Sequence, residues 1–178
     1  HSTSERYGSN AINESIATHL RRHRGLQVGE ETTEMLKTQF ASTFLPEDIA
    51  KTIEIRGRDV QTGSPGAVEI TSGEIYPIVE GIVRRIALRV KDTLTELRPE
   101  VAADIYDRGV ILTGGGAMLT GIDQYLRSFI NLPVSIAEEP RYATVNGLIK
   151  MFDDRDLLER VSFDELNILQ NAEIPFEA

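Results

Sequence analysis

The sequence predicts an α/β protein in which amphipathic helices alternate with short strands. Its longest helical signal runs from 75 to 97, where apolar residues recur at spacings of three and four. Two alternating stretches, 52–56 and 67–71, sit between turn residues and read as strands. The uncharged run Val110-Ile111-Leu112-Thr113 reads as a buried strand that stops at Gly114-Gly115-Gly116. With 178 residues, 40% hydrophobic and 26% charged, the chain can form one large domain or two small ones around a real core.

Composition removes several classes of function. A net charge of −9 argues against a nucleic-acid partner, because such proteins neutralise phosphates with basic side chains. The absence of cysteine excludes disulfides and thiolate metal sites. No apolar run approaches the length of a membrane span, and no signal peptide heads the sequence. The chain begins at His1 rather than at Met, which points to a piece of a longer protein.

Taken in order, residues 10–24 predict a helix with Asn10 as its N-cap and Ile12, Ile16, Ala17 and Leu20 on one face. Its basic end, His19 and Arg21 to Arg24, suits the helix dipole, and its histidines lack acidic or thiol neighbours at ligand spacing. Gly25 closes it, and a second helix over 30–43 buries Met35, Leu36 and Phe40. Glu34 and Lys37 share a face of that helix, either as an ordinary surface ion pair or as polar groups aimed at a ligand. The two strands make a hairpin with a long, irregular connection in which 59–61 adds a little pairing. Thr71-Ser72-Gly73-Glu74 fits a capping box for the long helix, and Pro77 predicts a kink or a late start. Pro99 ends that helix or restarts a short one over 101–107.

After the strand at 110–113, the three glycines allow another group to approach bare main chain. A helix over 118–129 would add its free N–H groups and positive dipole end to that corner. The stretch is neither a phosphate-binding Walker loop nor a dinucleotide fingerprint, since no Gly-Lys-Ser/Thr follows and Leu119 replaces the third glycine. A tight turn with no ligand is the competing reading. A strand over 132–137, a turn at Glu138-Glu139-Pro140 and a helix over 142–152 follow. The acidic tail 153–178 carries Leu157, Leu158, Val161, Phe163 and Leu166, enough for a further short helix.

Five stretches, in this order, resemble the family of the bacterial actin homologue MreB. Gly8-Ser9-Asn10-Ala11-Ile12-Asn13-Glu14-Ser15-Ile16 is similar to its G-G-D-x-(F/M)-D-x-A-I, and Gly29-Glu30-Glu31-Thr32-Thr33-Glu34-Met35-Leu36-Lys37 to its G-E-x-T-A-E-x-x-K. Arg56-Gly57-Arg58-Asp59 with Thr62-Gly63-Ser64-Pro65 resembles R-G-R-D-x-x-T-G-x-P. Pro99 to Ile105 with Arg108 to Gly116 resembles P-P-E-L-A-x-D-I followed by R-G-I-x-L-T-G-G-G. Ala137-Glu138-Glu139-Pro140, Ala143 and Gly147 match A-E-x-P-x-x-A-V-A-x-G. The chain departs from the pattern at Asn10 and Asn13, where the family has Asp, and at Asn146 and Pro77.

The resemblance implies a fragment of the actin/chaperone/sugar-kinase ATPase fold. It divides the chain into a small α+β subdomain at 1–71, part of a ribonuclease H-like α/β subdomain at 72–139, and a C-terminal helix and tail at 140–178. It implies that Gly114, Gly115, Gly116 and Ala117 lie against adenine and ribose, with Glu34 and Lys37 facing the nucleotide from the other side. The cofactor implied for the whole protein is ATP with Mg²⁺. Implied partners are further copies in a head-to-tail cytoplasmic filament and cell-shape or cell-wall-synthesis membrane proteins, with membrane contact through segments outside this one. The family's phosphate loops and catalytic carboxylate are expected upstream of His1, so no catalytic residue is assigned and these residues alone are expected neither to hydrolyse ATP nor to polymerise. Three alternatives stand beside this reading: a magnetosome- or plasmid-positioning actin, a chaperone or sugar kinase of the same superfamily, and an acidic interaction domain without enzymatic activity. The hairpin and the Glu34/Lys37 helix disfavour the second of these.

Overall fold

A computed structural model describes residues 2–45 and 47–161. Helix α1 (Ser9–His23) buries Ile12, Ile16 and Leu20, as their spacing requires. It starts before Asn10: Gly8 takes the extended N-cap conformation and its carbonyl accepts the Ala11 N–H, so Asn10 lies inside the first turn. The two-residue strand β1 (Leu26–Gln27) follows, an element too short to leave a sequence pattern. Helix α2 (Glu30–Phe40) buries Leu36 and Phe40 and stops short of Thr43. It stops because Thr43 is held elsewhere: its N–H and its hydroxyl both donate to the Thr120 carbonyl, each at 3.0 Å.

Strands β2 (Thr52–Asp59) and β3 (Pro65–Thr71) pair antiparallel, with Ile55 opposite Val68 and Ile53 opposite Ile70. The connection is short rather than long. Gly57, expected in a turn, continues the strand, and a Cβ there would collide with the Gln27 carbonyl of β1. Its lack of a side chain lets β1 pair with the far end of β2. The turn is organised by the Asp59 carboxylate, which accepts from the Thr62 N–H, the Thr62 hydroxyl and the Gln61 N–H. Those bonds, led by the Thr62 N–H, hold its pKa below the usual carboxylate value.

Helix α3 (Ser72–Thr95) carries the reciprocal capping box between Thr71 and Glu74. That box sets the start at Ser72, so Pro77 sits inside the helix and does not delay it. Ile75, Val79, Ile82, Val83 and Ala87 are buried along its length. This stripe packs against α1 and α2 and against α5 (Ile122–Ile130). One helix thus joins the β1-β2-β3 sheet to a second, parallel pair, β4 (Val110–Leu112) and β5 (Val134–Ile136).

Helix α4 (Pro99–Arg108) starts with Pro99 at its first position, where no N–H is needed, and so restarts the chain after α3. It ends at Gly109, whose φ of 75° and closeness to Pro133 O, 2.6 Å from where a Cβ would stand, both require glycine. The helix expected from 118 divides in two. A single 3₁₀ turn, Gly115–Met118, is followed by left-handed Gly121, and only then by α5. Helix α6 (Ala143–Asp153) matches its prediction closely, and residues 155–161 are helical. Phe163 and Leu166, expected in that last helix, lie outside the described residues.

Candidate functional site

A cleft of about 490 Å³ opens where the two sheets and α3 meet. One wall comes from the starts of α1 (Gly8, Ser9, Ile12) and the middle of α2 (Glu34, Lys37, Thr38). The other comes from the end of β4 and the turn after it: Leu112, Thr113, Gly115, Gly116 and Ala117. Val83 and Ile86 of α3 and Ile122 and Leu126 of α5 line the space with hydrocarbon. The Thr43–Thr120 bonds tie the walls together, because Ala41 and Thr120 also line the cleft.

Of the residues singled out from the sequence, Glu34, Lys37, Gly115, Gly116 and Ala117 come together here, from segments about eighty residues apart. Gly114 does not line the cleft. It makes the bend itself, with φ 80° and ψ 176°, a conformation open essentially to glycine alone, and its N–H donates to Pro140 O at 2.6 Å. Gly115 and Gly116 are different: neither has a positive φ, and a Cβ on either would meet nothing within 4 Å. The helix N-terminus expected behind the glycines is only a four-residue 3₁₀ turn, too short to supply a helix dipole at the corner.

The polar wall is a linked set. Lys37 Nζ donates to Glu34 Oε2 at 2.5 Å and to Ser9 Oγ at 2.7 Å, and Asn13 Nδ2 donates to the same Glu34 oxygen at 2.8 Å. The Lys37 side chain is only 11% exposed while that of Glu34 is 51% exposed. Hydrogen bonds from Lys37 and then Asn13, with the positive charges of Lys37 and Arg141, hold the Glu34 carboxyl below its usual pKa. Its other oxygen, Oε1, has no partner among the described residues and remains available as an acceptor. Asn13 Oδ1 is buried without a hydrogen-bond partner. No group of three His, Cys, Asp or Glu among the described residues is placed to hold a metal ion.

Three contributors were missed at the sequence level: Ser9 and Asn13 of the polar wall, and Arg141, which lines the cleft from the turn after β5. Asn13 had a signal, as a departure from the family's Asp. Arg141 had none, since the motif leaves its position open.

The family model described as MreB/Mbl protein matches residues 1–160. The cell shape-determining protein Mbl of Bacillus subtilis is 36% identical over 159 residues, which is 89% of this chain and 47% of that protein. The cell shape-determining protein MreB of Haemophilus influenzae is 36% identical over 148 residues, 83% of this chain and 42% of that one. The chain thus spans about half the length of the curated relatives it matches. Among solved structures, MreB5 of Spiroplasma citri bound to ADP superposes with a TM-score of 0.80 at 25% identity, covering 90% of this chain and 48% of that one. The actin-like fold expected from the resemblance is therefore the fold observed, and it is part of that fold.

Proposed function

The chain belongs to the MreB/Mbl protein family, and on that premise we propose that its cleft holds the adenosine end of ATP in an actin-like cytoskeletal protein that maintains cell shape. One observation carries the reading. Glycines 115 and 116 answer to no positive φ and no internal neighbour, so what keeps them bare is a group that comes from outside and lies on the main chain. The volume suits a nucleoside, lying within the range of about 300–1,000 Å³ common to small-molecule sites. Hydrocarbon from Val83, Ile86, Ile122 and Leu126 favours a flat ring, and Glu34 Oε1 offers an acceptor to a sugar hydroxyl. Lys37 and Asn13 occupy the other oxygen and keep the carboxylate ionised and oriented. The ADP-bound structure of Spiroplasma citri MreB5 supports nucleotide binding within the family.

In this reading residues 115–117, Glu34 and Lys37 meet the nucleoside, and Gly114 shapes the bend that presents them. In the whole protein, Mg²⁺ would neutralise and orient the phosphates. We read the whole protein as a head-to-tail filament former on the cytoplasmic side of the membrane, its nucleotide state setting the stability of subunit contacts. Calorimetric titration of the 178-residue chain with ADP and with ATP tests the site. Saturable binding without phosphate release is expected; no heat and no spectral change at millimolar nucleotide would refute the assignment.

A further inference from the structure

Arg141 lines the cleft and is exposed, yet it makes no hydrogen bond or ion pair with a described residue. Its backbone, by contrast, is braced on both sides. Pro140 O accepts the Gly114 N–H, Glu139 takes a left-handed φ of 44°, and the Tyr142 N–H returns to Glu139 O at 2.8 Å. The Glu139 carboxylate is held in turn by Asn146 Nδ2 at 3.0 Å. The side chain therefore leaves a rigid turn bonded directly to the glycine corner. Arg141 and Glu34 line the same cleft, and the Arg141 charge is the weakest of the influences that lower the Glu34 carboxyl.

We propose that Arg141 is a base-contacting residue: its planar guanidinium packs on the face of a purine whose other face lies on the backbone of 115–116. The proposal rests on the nucleoside reading of the cleft and adds the group that closes it. A guanidinium suits this role because it is flat, delocalised and weakly hydrated, and stacks on aromatic faces where an ammonium does not. The geometry favours the base over the phosphates. Arg141 follows Pro140, whose carbonyl is bonded to the glycine corner; the cleft it lines also carries Val83, Ile86, Ile122 and Leu126, and Glu34, on the opposite wall, would repel a phosphate.

NMR titration of the whole chain with adenosine and, separately, with ADP tests this, on wild type, R141A and R141K. Arg141 makes no hydrogen bond or ion pair with a described residue, so both variants should keep the wild-type amide spectrum outside the cleft. R141A should weaken adenosine and ADP alike by about 3- to 30-fold, and R141K should recover little of that loss. Loss confined to ADP would make Arg141 a phosphate contact, and unchanged affinity would make it a bystander; either overturns the proposal alone. Failure of wild type to bind either ligand would remove the nucleoside reading and this inference with it.

Discussion

Replacing Gly116 with valine separates what the fold needs from what the ligand needs. The position has an ordinary backbone conformation, and an added Cβ meets nothing within 4 Å. Its Cβ would therefore stand in open space at a residue that lines the cleft. The cost to folding is a few tenths of a kcal/mol for a β-branched residue in a short turn, offset by the about 0.4–1 kcal/mol that loss of glycine freedom in the unfolded chain returns. A melting temperature within about 4 °C of wild type follows. Binding should respond quite differently, because on the proposed reading the branched carbons crowd the nucleoside ring. We expect at least a tenfold loss of ADP affinity, about 1.4 kcal/mol. Gly114→Ala gives the opposite pattern, since φ 80° and ψ 176° force a side chain into a region costing about 1–3 kcal/mol. That variant should melt about 2–12 °C lower. Thermal melts and ADP titration on the two variants form one experiment. Undiminished ADP affinity in G116V would refute the claim that these glycines exist for a ligand.

Glu74 supplies a test in acid. Burial alone would raise its carboxyl, but hydrogen bonds from Arg24, His19 and the Thr71 backbone outweigh it and the net shift is downward. A depressed folded pKa contributes stability that is complete above the ordinary value near 4.5 and is lost as pH falls through the lowered one. Glu74→Gln should cost about 1–2 kcal/mol at pH 7 and flatten the acid limb of melting temperature against pH, as followed by circular dichroism. Gly121→Ala should cost at least about 2 kcal/mol, because the left-handed position would gain a Cβ overlapping the Phe44 ring and 2.6 Å from Thr43 Oγ1. Hydrogen exchange should then speed at 41–44, the segment bonded to residue 120. Asn13→Asp sets a second carboxylate against Glu34 and raises the pKa of one of them. ADP affinity in that variant should lie below wild type at about pH 7.5 and recover toward it as pH falls through the raised pKa, where the shared proton replaces the donor that asparagine supplies.

What was legible in the sequence is what local chemistry decides. The apolar faces of α1 and α3 follow from spacing alone, and the capping box from Thr71 and Glu74 three residues apart. The misreadings sit where a distant neighbour decides. Gly57 looks like a turn residue until the Gln27 carbonyl is found where its Cβ would be. The start of α5 slides from 118 to 122 because Gly121 is bent against Phe44 and Thr43, which no local window contains. The same division holds at the cleft. Glu34 and Lys37 were marked by sharing a helix face, and the three glycines by their own density. Ser9, Asn13 and Arg141 enter only through the approach of α1 and of the turn after β5.

The two oxygens of the Glu34 carboxylate differ: one accepts from Lys37 and Asn13, and the other has no partner among the described residues. Lys37 is nearly buried and reaches Ser9 as well as Glu34, so it fastens the start of α1 to α2. Asn13 adds a second donor to the same oxygen from one turn further along α1. A carboxylate held on one side by an ammonium and an amide keeps its charge and its direction, and leaves its remaining oxygen without a partner among the described residues. An aspartate at 13 would bring repulsion to the atom that asparagine binds. The departure from the family pattern therefore falls on a residue that holds Glu34, and on the proposed reading it favours a fixed, ionised acceptor in the cleft that Gly115 and Gly116 also line.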